Sequence, residues 1–229
     1  MNIWFASGNK DKKRELSAIL AGAILQTEVL TPADAGLKFD PEETGNSFHE
    51  NALLKARELF KLLSSGRTSV YKSGDLIIAD DSGLCVDALG GRPGIYSAMY
   101  AGPDDPAGAN AAANGKKLTS LQRNALLLGE LGAIENRSAH FVCAMVLMLD
   151  ENRFCLAQET LKGEIVKGPE YAGGTGGFGY DPILFIPQFG RTVAELSDNE
   201  KNLVSHRGKA GKIIADILRQ TEIACQSST

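Results

Sequence analysis

Two adjacent carboxylates, Asp80 and Asp81, follow a short apolar run that begins at Ile77. Such a run is typical of a buried strand, and two acids at its end need positive partners. A magnesium ion with a phosphate chain is the partner that best matches two hard oxygen donors. Because side chains alternate along a strand, only one of the two need face a ligand. A strand that ends in a solvated Asp-Asp-Ser-Gly turn would produce the same pattern.

A segment rich in cations lies between the first apolar run of the chain and a stretch of leucine and isoleucine at helical spacing. This order predicts a strand, a tight turn at Gly8 and a helix whose free N–H groups and positive dipole end can hold phosphate. Cations at a helix start oppose the dipole, so their presence favours an anion-binding role over a solvated first turn. The pattern matches neither the P-loop nor the dinucleotide-binding motif. The cations are Lys10, Lys12, Lys13 and Arg14.

A glycine-rich segment begins at Gly173, where five of seven residues are glycine. Because so many glycines cost backbone entropy, we expect the chain to approach another group closely there. Phe178 and Tyr180 could provide a stacking face for a planar ring. Asp181, held extended by the following proline, could accept a hydrogen bond from the edge of a base. The alternative is a surface loop whose aromatic side chains pack back on a sheet.

A helix with a marked N-terminus is predicted to follow an acidic loop. Ser47 and Glu50 form a capping box, and an apolar stripe at helical period comes after it. Two acids precede the helix, Glu42 and Glu43. They either stabilise the helix dipole or supply a metal-binding oxygen beside Asp81.

A second capping box, Ser197 with Glu200, begins the helical segment that carries Lys201 and Arg207. Six residues apart on an ideal helix, these two cations lie on different faces. Both can reach one site only if the helix breaks near Ser205 or if a ligand lies across its end. One further helix is predicted from the spacing of Leu118, Leu121, Ala125 and Leu128, and a hairpin from the apolar runs His140–Leu149 and Phe154–Ala157.

The composition excludes several classes of protein. A chain of 229 residues is long enough for one large domain or two lobes. A net charge of −4 provides no basic face, so we predict no nucleic-acid partner. The longest apolar run, Phe141 to Leu149, is far below the roughly 20 residues that span a bilayer, and no signal peptide is expected. The four cysteines lack the close spacing of metal or redox motifs, which predicts a reducing, cytoplasmic setting.

Five short motifs combine these residues and occur in order over nearly the whole chain. They are Ser7-Gly8-Asn9-x-x-Lys12, Ala79-Asp80-Asp81-Ser82-Gly83-Leu84, Gly90-Gly91-x-Pro93-Gly94-Ile95-Tyr96-Ser97, Gly174-Thr175-Gly176-Gly177-Phe178-Gly179-Tyr180-Asp181-Pro182 and Lys201-x-x-x-Ser205-His206-Arg207-Gly208. Taken together they resemble the motifs of the inosine triphosphate pyrophosphatase family, hydrolases of non-canonical purine nucleoside triphosphates. One such motif is a weak signal, whereas five in the same order are a specific one.

The resemblance implies an α/β fold with a long central mixed sheet flanked by helices. Residues 1–229 would form a single domain of two lobes with the active-site cleft between them, and the protein would be a homodimer. The implied activity is Mg²⁺-dependent hydrolysis of ITP, dITP and XTP to the monophosphate and pyrophosphate, which cleanses the nucleotide pool without a nucleic-acid or membrane partner. The alternatives are a broad-specificity nucleotide pyrophosphatase and a nucleotide-binding sensor without turnover.

The resemblance also assigns roles to matching positions. Asp81 would be the general base and a metal ligand, and Glu42 or Glu43 would add a second carboxylate to the metal. Lys12 would neutralise charge that develops on the triphosphate. The remaining substrate-binding positions would be Ser7, Gly8, Asn9, Lys10, Asp11, Ser82, Phe178, Gly179, Tyr180, Asp181, Lys201, His206 and Arg207.

Overall fold

A central sheet of seven strands organises the computed structural model, which describes residues 2–21, 28–72, 74–109 and 118–226. The strand order is β2-β1-β3-β4-β5-β6-β7. β1 runs parallel to β2 and β3, whereas β6 runs antiparallel to β5 and β7, so the sheet is mixed. The strands are β1 (Asn2–Phe5), β2 (Glu28–Leu30), β3 (Leu76–Val86), β4 (Ser138–Met148), β5 (Phe154–Ile165), β6 (Leu184–Ile186) and β7 (Arg191–Thr192).

Five α-helices accompany the sheet within the described ranges, which confirms the predicted α/β class. Among these described residues, no helix is both long and apolar enough to cross a membrane. The predicted capping residue Ser47 accepts a hydrogen bond from the N–H of Glu50. The helices are α1 (Lys10–Ala21), α2 (Phe48–Ser64), α3 (Ser120–Leu131), α4 (Asp198–Val204) and α5 (His206–Gln226).

The described residues group into two compact units. Unit 1 lies within Met1–Asp81, Cys143–Glu159 and Val204–Thr229. Unit 2 lies within Ser82–Val142 and Thr160–Leu203. The three long strands β3, β4 and β5 contribute residues to both units.

The described residues of unit 1 form two apolar clusters, because successive side chains of a strand point to opposite faces of the sheet. Ile3 of β1 and Ile78 of β3 are buried in the cluster that contains the apolar residues of α1 and α5. Trp4 follows Ile3 and Ala79 follows Ile78, and both are buried in the cluster that contains the apolar stripe of α2. The alternation therefore gives each face of the strand its own helices.

We expect Leu59→Ala to lower the free energy of unfolding by about 2–5 kcal/mol, the range for truncating a buried leucine. Leu59 belongs to the predicted stripe of α2 and is fully buried. Urea unfolding measures the change, with Lys61→Ala on the exposed face of the same helix as the control. A loss as small as that of the control would show that α2 contributes little to the core.

The described residues of unit 2 share an apolar cluster. The buried residues Leu127 and Leu131 of α3 share it with Leu84 of β3 and Phe141 of β4. The predicted hairpin is confirmed as β4 and β5, and the second strand continues well beyond Ala157. The glycine-rich segment thus belongs to a unit that has its own apolar core.

Candidate active site

The paired carboxylates do not end a strand, as the sequence suggested. β3 continues through Asp80, Asp81 and the following Ser-Gly to Val86, so the predicted strand end and its alternative, a solvated turn, are both wrong. Asp80 and Asp81 are both buried, at 1% and 5% exposure. A strand tolerates two buried carboxylates at this point because each one has cationic partners.

Asp80 lies on the face of β3 that meets α1 and α5. Its Oδ1 accepts a hydrogen bond from Lys12 Nζ at 3.1 Å, and its Oδ2 accepts from Arg207 Nε and Nη2 at 3.2 and 3.0 Å. The other end of the Arg207 guanidinium donates to Glu15 Oε2 at 2.7 Å. Burial disfavours the ionised carboxylate, but the cations of Lys12 and Arg207 outweigh it and hold the pKa of Asp80 well below its usual range. Asp80 is therefore a permanent anion.

Asp81 lies on the opposite face, toward α2. Lys55 Nζ donates to Asp81 Oδ1 at 2.8 Å, and Asn51 Nδ2 donates to Oδ2 at 3.3 Å. Burial raises the pKa of Asp81, and the nearby ammonium of Lys55 opposes this shift without cancelling it. The two neighbours in sequence thus have pKa values shifted in opposite directions.

A divalent cation fits the acidic side of this cluster. Lys55 Nζ also donates to Glu43 Oε1 at 3.2 Å, so the carboxylates of Glu43 and Asp81 converge on one positive group. Within the described ranges, no group of three or more His, Cys, Asp or Glu side chains could hold a metal ion. Magnesium commonly uses one or two protein carboxylates with water and substrate phosphate, which two carboxylates satisfy. Glu42 and Glu43 are both exposed in the loop, and Glu43 is the one that contacts Lys55.

The predicted strand, turn and helix at the N-terminus are confirmed as β1 and α1. Asn9 caps the helix: its Oδ1 accepts from the backbone N–H of Asp11 at 2.9 Å and of Lys12 at 3.2 Å. Ser7 Oγ accepts from the N–H of Asn9, and a side chain added at Gly8 would meet open space. Because the cap uses two of the N–H groups expected to bind phosphate, the ammonium groups of this segment become the stronger candidates. Anion binding by Ser7, Gly8, Asn9, Lys10, Asp11 and Lys12 stays a prediction.

The glycine-rich segment of unit 2 closes on its own chain. Gly177 has a φ of +68°, and a Cβ there would lie 2.2 Å from Asp181 Oδ2. Gly174 has a φ of +79°, and a Cβ there would lie 2.3 Å from the carbonyl oxygen of Ala194. Both positions therefore require glycine for backbone conformation and for space. The close approach predicted from composition is to Asp181 and Ala194.

Asp181 and Lys201 form a buried ion pair beside the ring of Phe178. Lys201 Nζ donates to Asp181 Oδ2 at 2.7 Å and lies 4.8 Å from the centroid of the Phe178 ring. The same carboxylate oxygen accepts from the backbone N–H of Phe178 at 2.7 Å. Three of the predicted substrate-binding residues are thus held in one arrangement within unit 2.

Tyr180 does not share a stacking face with Phe178. Its ring is buried in the apolar core of unit 2, and its hydroxyl donates to the carbonyl oxygen of Ser97 at 2.9 Å. Burial raises the pKa of this hydroxyl. Phe178 is a partly exposed aromatic of the segment, and its role as a stacking surface stays a prediction. A substrate contact by Tyr180 stays a prediction.

The helical segment breaks at Ser205, which is one of the two conditions under which Lys201 and Arg207 could reach one site. α4 ends at Val204 and α5 begins at His206, so Lys201 and Arg207 belong to different helices. His206 is buried at the first position of α5. Ser82 follows Asp81 on β3 and is partly buried. Substrate contacts by Ser82, His206 and Arg207 stay predictions.

Residues 3–217 match the model of the Ham1 family. The chain belongs to this family. A dITP/XTP pyrophosphatase from Treponema denticola is 45% identical over 210 residues, which cover 92% of this chain and 94% of that protein. The dITP/XTP pyrophosphatase of Escherichia coli strain K12 is 39% identical over 95% of this chain and 98% of that protein. The membership predicted from the five motifs is confirmed.

Solved structures of Ham1 proteins share the fold. The Ham1 protein of Staphylococcus aureus is 33% identical, with a TM-score of 0.74, and the match covers 96% of this chain and 100% of the Staphylococcus aureus chain. The HAM1 protein of Coxiella burnetii is 34% identical, with the same TM-score, and the match covers 96% of this chain and 99% of the Coxiella burnetii chain. The mixed α/β sheet is therefore the fold of the family.

The five motifs of this Ham1 chain do not include Lys55, the cationic partner of Asp81. Lys55 and Asn51 lie four residues apart on the buried side of α2, next to its apolar stripe. Side chains at this spacing share a helix face, so a lysine and an asparagine beside buried positions were the available signal. Glu15, which binds Arg207, likewise lies beside the buried residue Leu16.

Proposed function

We propose that this chain is a hydrolase that converts ITP, dITP and XTP to the nucleoside monophosphate and pyrophosphate. The observation that carries the proposal is the buried cluster in which Asp81 is oriented by Lys55 and Asn51 and lies near Glu43. The names of the relatives from Treponema denticola and Escherichia coli support the substrate class. Cleansing of the nucleotide pool follows from the reaction.

Asp81 acts as the base in this mechanism. A water oxygen attacks the triphosphate, the bond between the α- and β-phosphates breaks, and the water proton passes to Asp81. Lys55 and Asn51 hold the carboxylate in one orientation by hydrogen bonds of 2.8 and 3.3 Å. Lys12, which is kept at 3.1 Å from the permanent anion Asp80, neutralises charge on the departing pyrophosphate.

Magnesium is part of the same proposal. Asp81 and Glu43 would hold the ion, because their carboxylates already converge on the ammonium of Lys55. A bound magnesium ion supplies polarisation of a phosphoryl oxygen and lowers the pKa of a nearby water. Glu43 is the better candidate of the two acids in the loop, since its carboxylate contacts the partner of Asp81.

The base preference is assigned to the glycine-rich segment. Phe178 offers its ring for stacking, and the neighbouring ammonium of Lys201 can only donate hydrogen bonds. A 6-keto purine presents an acceptor to this donor, whereas adenine presents an amino group that cannot accept. Sites that leave buried polar groups unpaired can reject the wrong substrate by several orders of magnitude.

The experiment is pyrophosphate release from ITP, dITP, XTP, ATP and GTP, with magnesium and with EDTA. We expect kcat/KM for the first three to exceed that for ATP at least about 100-fold, and release to stop in EDTA. Equal rates on all five would replace this proposal with a broad-specificity pyrophosphatase. Tight nucleotide binding without release would replace it with a sensor.

The predicted homodimer, the cytoplasmic setting and the single domain over residues 1–229 belong to the same proposal. One chain has a mass of 24.4 kDa. Light scattering on the purified protein tests the dimer, and a molar mass equal to that of one chain would overturn it.

A further inference from the structure

Asn124 connects helix α3 to the glycine-rich segment. It is 6% exposed, and its Nδ2 donates to the carbonyl oxygen of Gly179 at 3.1 Å across 55 residues of sequence. Its Oδ1 has no hydrogen-bond partner among the described residues. The contact with the carbonyl of Gly179 therefore rests on the N–H₂ half of the amide.

Gly179 lies between the ring of Phe178 and the buried Tyr180. Its φ is +64°, a left-handed conformation in which a side chain would be strained, although a Cβ would meet open space. Tyr180 is fixed in the core, with its hydroxyl bonded to the carbonyl of Ser97. Phe178 and Asp181 close a turn around these two residues, because the N–H of Asp181 donates to the carbonyl oxygen of Phe178 at 3.2 Å and the N–H of Phe178 donates to Asp181 Oδ2 at 2.7 Å. The Gly179 carbonyl lies in the central peptide unit of this turn, so the bond from Asn124 attaches the whole turn to α3.

A cavity of about 400 Å³ lies beside this segment in unit 2. One wall contains Leu121, Ala125 and Leu128, three of the apolar residues that predicted α3, and Asn124 lies within that wall. Phe178 and the backbone of the glycines form another part of the lining. Close packing of side chains normally fixes a loop, and here one side of the loop faces the cavity. The hydrogen bond from Asn124 spans the helix and the loop at this place.

We propose that Asn124 is a positioning residue for base recognition, which anchors the turn of residues 178–181 to α3 through the carbonyl of Gly179 and so sets the place of the Phe178 ring relative to α3. The inference rests on the proposed function, because it takes Phe178 as the surface on which the base stacks. It assigns a specificity role to a residue outside the five motifs.

The test compares Asn124→Ala and Asn124→Asp with Leu126→Ala, a partly exposed position on the same helix that does not line the cavity. Asp keeps the shape of Asn but, when ionised, cannot donate to a carbonyl. For both Asn124 variants we expect KM for ITP to rise about tenfold, a normal effect of one lost hydrogen bond, with kcat within about twofold of wild type. Inhibition by inosine monophosphate should weaken about tenfold, and inhibition by inorganic pyrophosphate should not change.

A structural role alone predicts a different result. Thermal unfolding would shift while KM and the inhibition constant of inosine monophosphate remained at the values of wild type and of Leu126→Ala, and this would overturn the proposal. Wild-type kinetics in Asn124→Asp would overturn it as well, since only shape would then matter. If one variant does not fold, the other decides, and failure of both to fold would identify Asn124 as purely structural.

Failure of the proposed function is recognised separately. If the wild-type protein hydrolyses none of the five triphosphates, calorimetry with inosine monophosphate takes the place of kinetics. Weaker binding to Asn124→Asp than to wild type would still support the positioning role. Equal affinity, or no binding to wild type, would overturn it.

Discussion

Replacing Asp81 with Asn is expected to lower kcat for ITP by about three orders of magnitude, because loss of a positioned base commonly costs 10²–10⁴-fold. Asparagine has the same shape and can still accept a hydrogen bond from Lys55, which lies 2.8 Å from Asp81. It cannot take the proton of an attacking water. Pyrophosphate release at saturating magnesium measures the loss.

Asp216→Asn is the matched control. Asp216 pairs with Arg219 on the exposed surface of α5, so this variant should have wild-type activity. Thermal unfolding of both variants shows whether either has lost the fold. Full activity of folded Asp81→Asn with magnesium saturating would exclude Asp81 as the base.

The pH profile provides a second view of the same group. Burial raises the pKa of Asp81, with Lys55 opposing the shift, so the carboxylate becomes protonated at a higher pH than an ordinary aspartate. A protonated carboxyl cannot act as a base. An ordinary aspartate has a pKa near 4. We therefore expect kcat/KM of the wild-type and Asp216→Asn proteins to fall, as the pH is lowered, at a pH above that value.

Asp80→Asn is expected to lower the free energy of unfolding by about 3 kcal/mol, the lower part of the range for removing one partner of a buried ion pair. Arg207 is 1% exposed and would lose its ion pair with Asp80 and keep the one with Glu15. The amide oxygen of asparagine can still accept one hydrogen bond, which limits the cost. Urea unfolding at pH 7 measures the difference.

The control for this change is Glu58→Gln, which removes an exposed carboxylate paired with Lys61. Exposed pairs contribute about 0–1 kcal/mol, so its effect should be small. Equal effects of Glu58→Gln and Asp80→Asn would contradict a structural role for the buried network.

The difference between wild type and Asp80→Asn should depend on pH in one direction. The pKa of Asp80 is below its usual range in the folded state, so its contribution is complete above the unfolded pKa, near 4. As the pH falls below that value, the unfolded state takes up a proton first and the contribution is lost. The two proteins should therefore approach equal stability in acid.

Local patterns in the sequence were sufficient for most elements of the fold. The capping residues at Ser47 and Ser197, and the helical stripe of α2, depend on neighbours within one or two turns, and the structure confirms them. The motifs were sufficient for the family. The break before His206 is one of two alternatives that helix geometry allows, and the structure contains it.

Contacts across long sequence separations could not be predicted in this way. The partners of Asp80 and Asp81 lie 26 to 127 residues away in the sequence. The residues that flank Lys55 do not specify which carboxylate it binds. The strand was expected to end at the aspartates because two adjacent acids are unfavourable in a buried strand. The cations that remove this penalty come from helices α1, α2 and α5, and no local pattern connects them to β3.

Because side chains alternate along β3, the position of a residue in the strand determines which face it occupies and so which chemical role it can have. Asp80 and Asp81 are the same amino acid, and one is a fixed anion while the other is proposed as the base, solely because they occupy opposite faces. A deletion or insertion of one residue before Asp80 would exchange the faces of every residue that follows in the strand. Substitutions along Leu76–Ala79 can preserve both functions, whereas changes of length cannot. Evolution can therefore change the side chains of this strand but cannot shift its register.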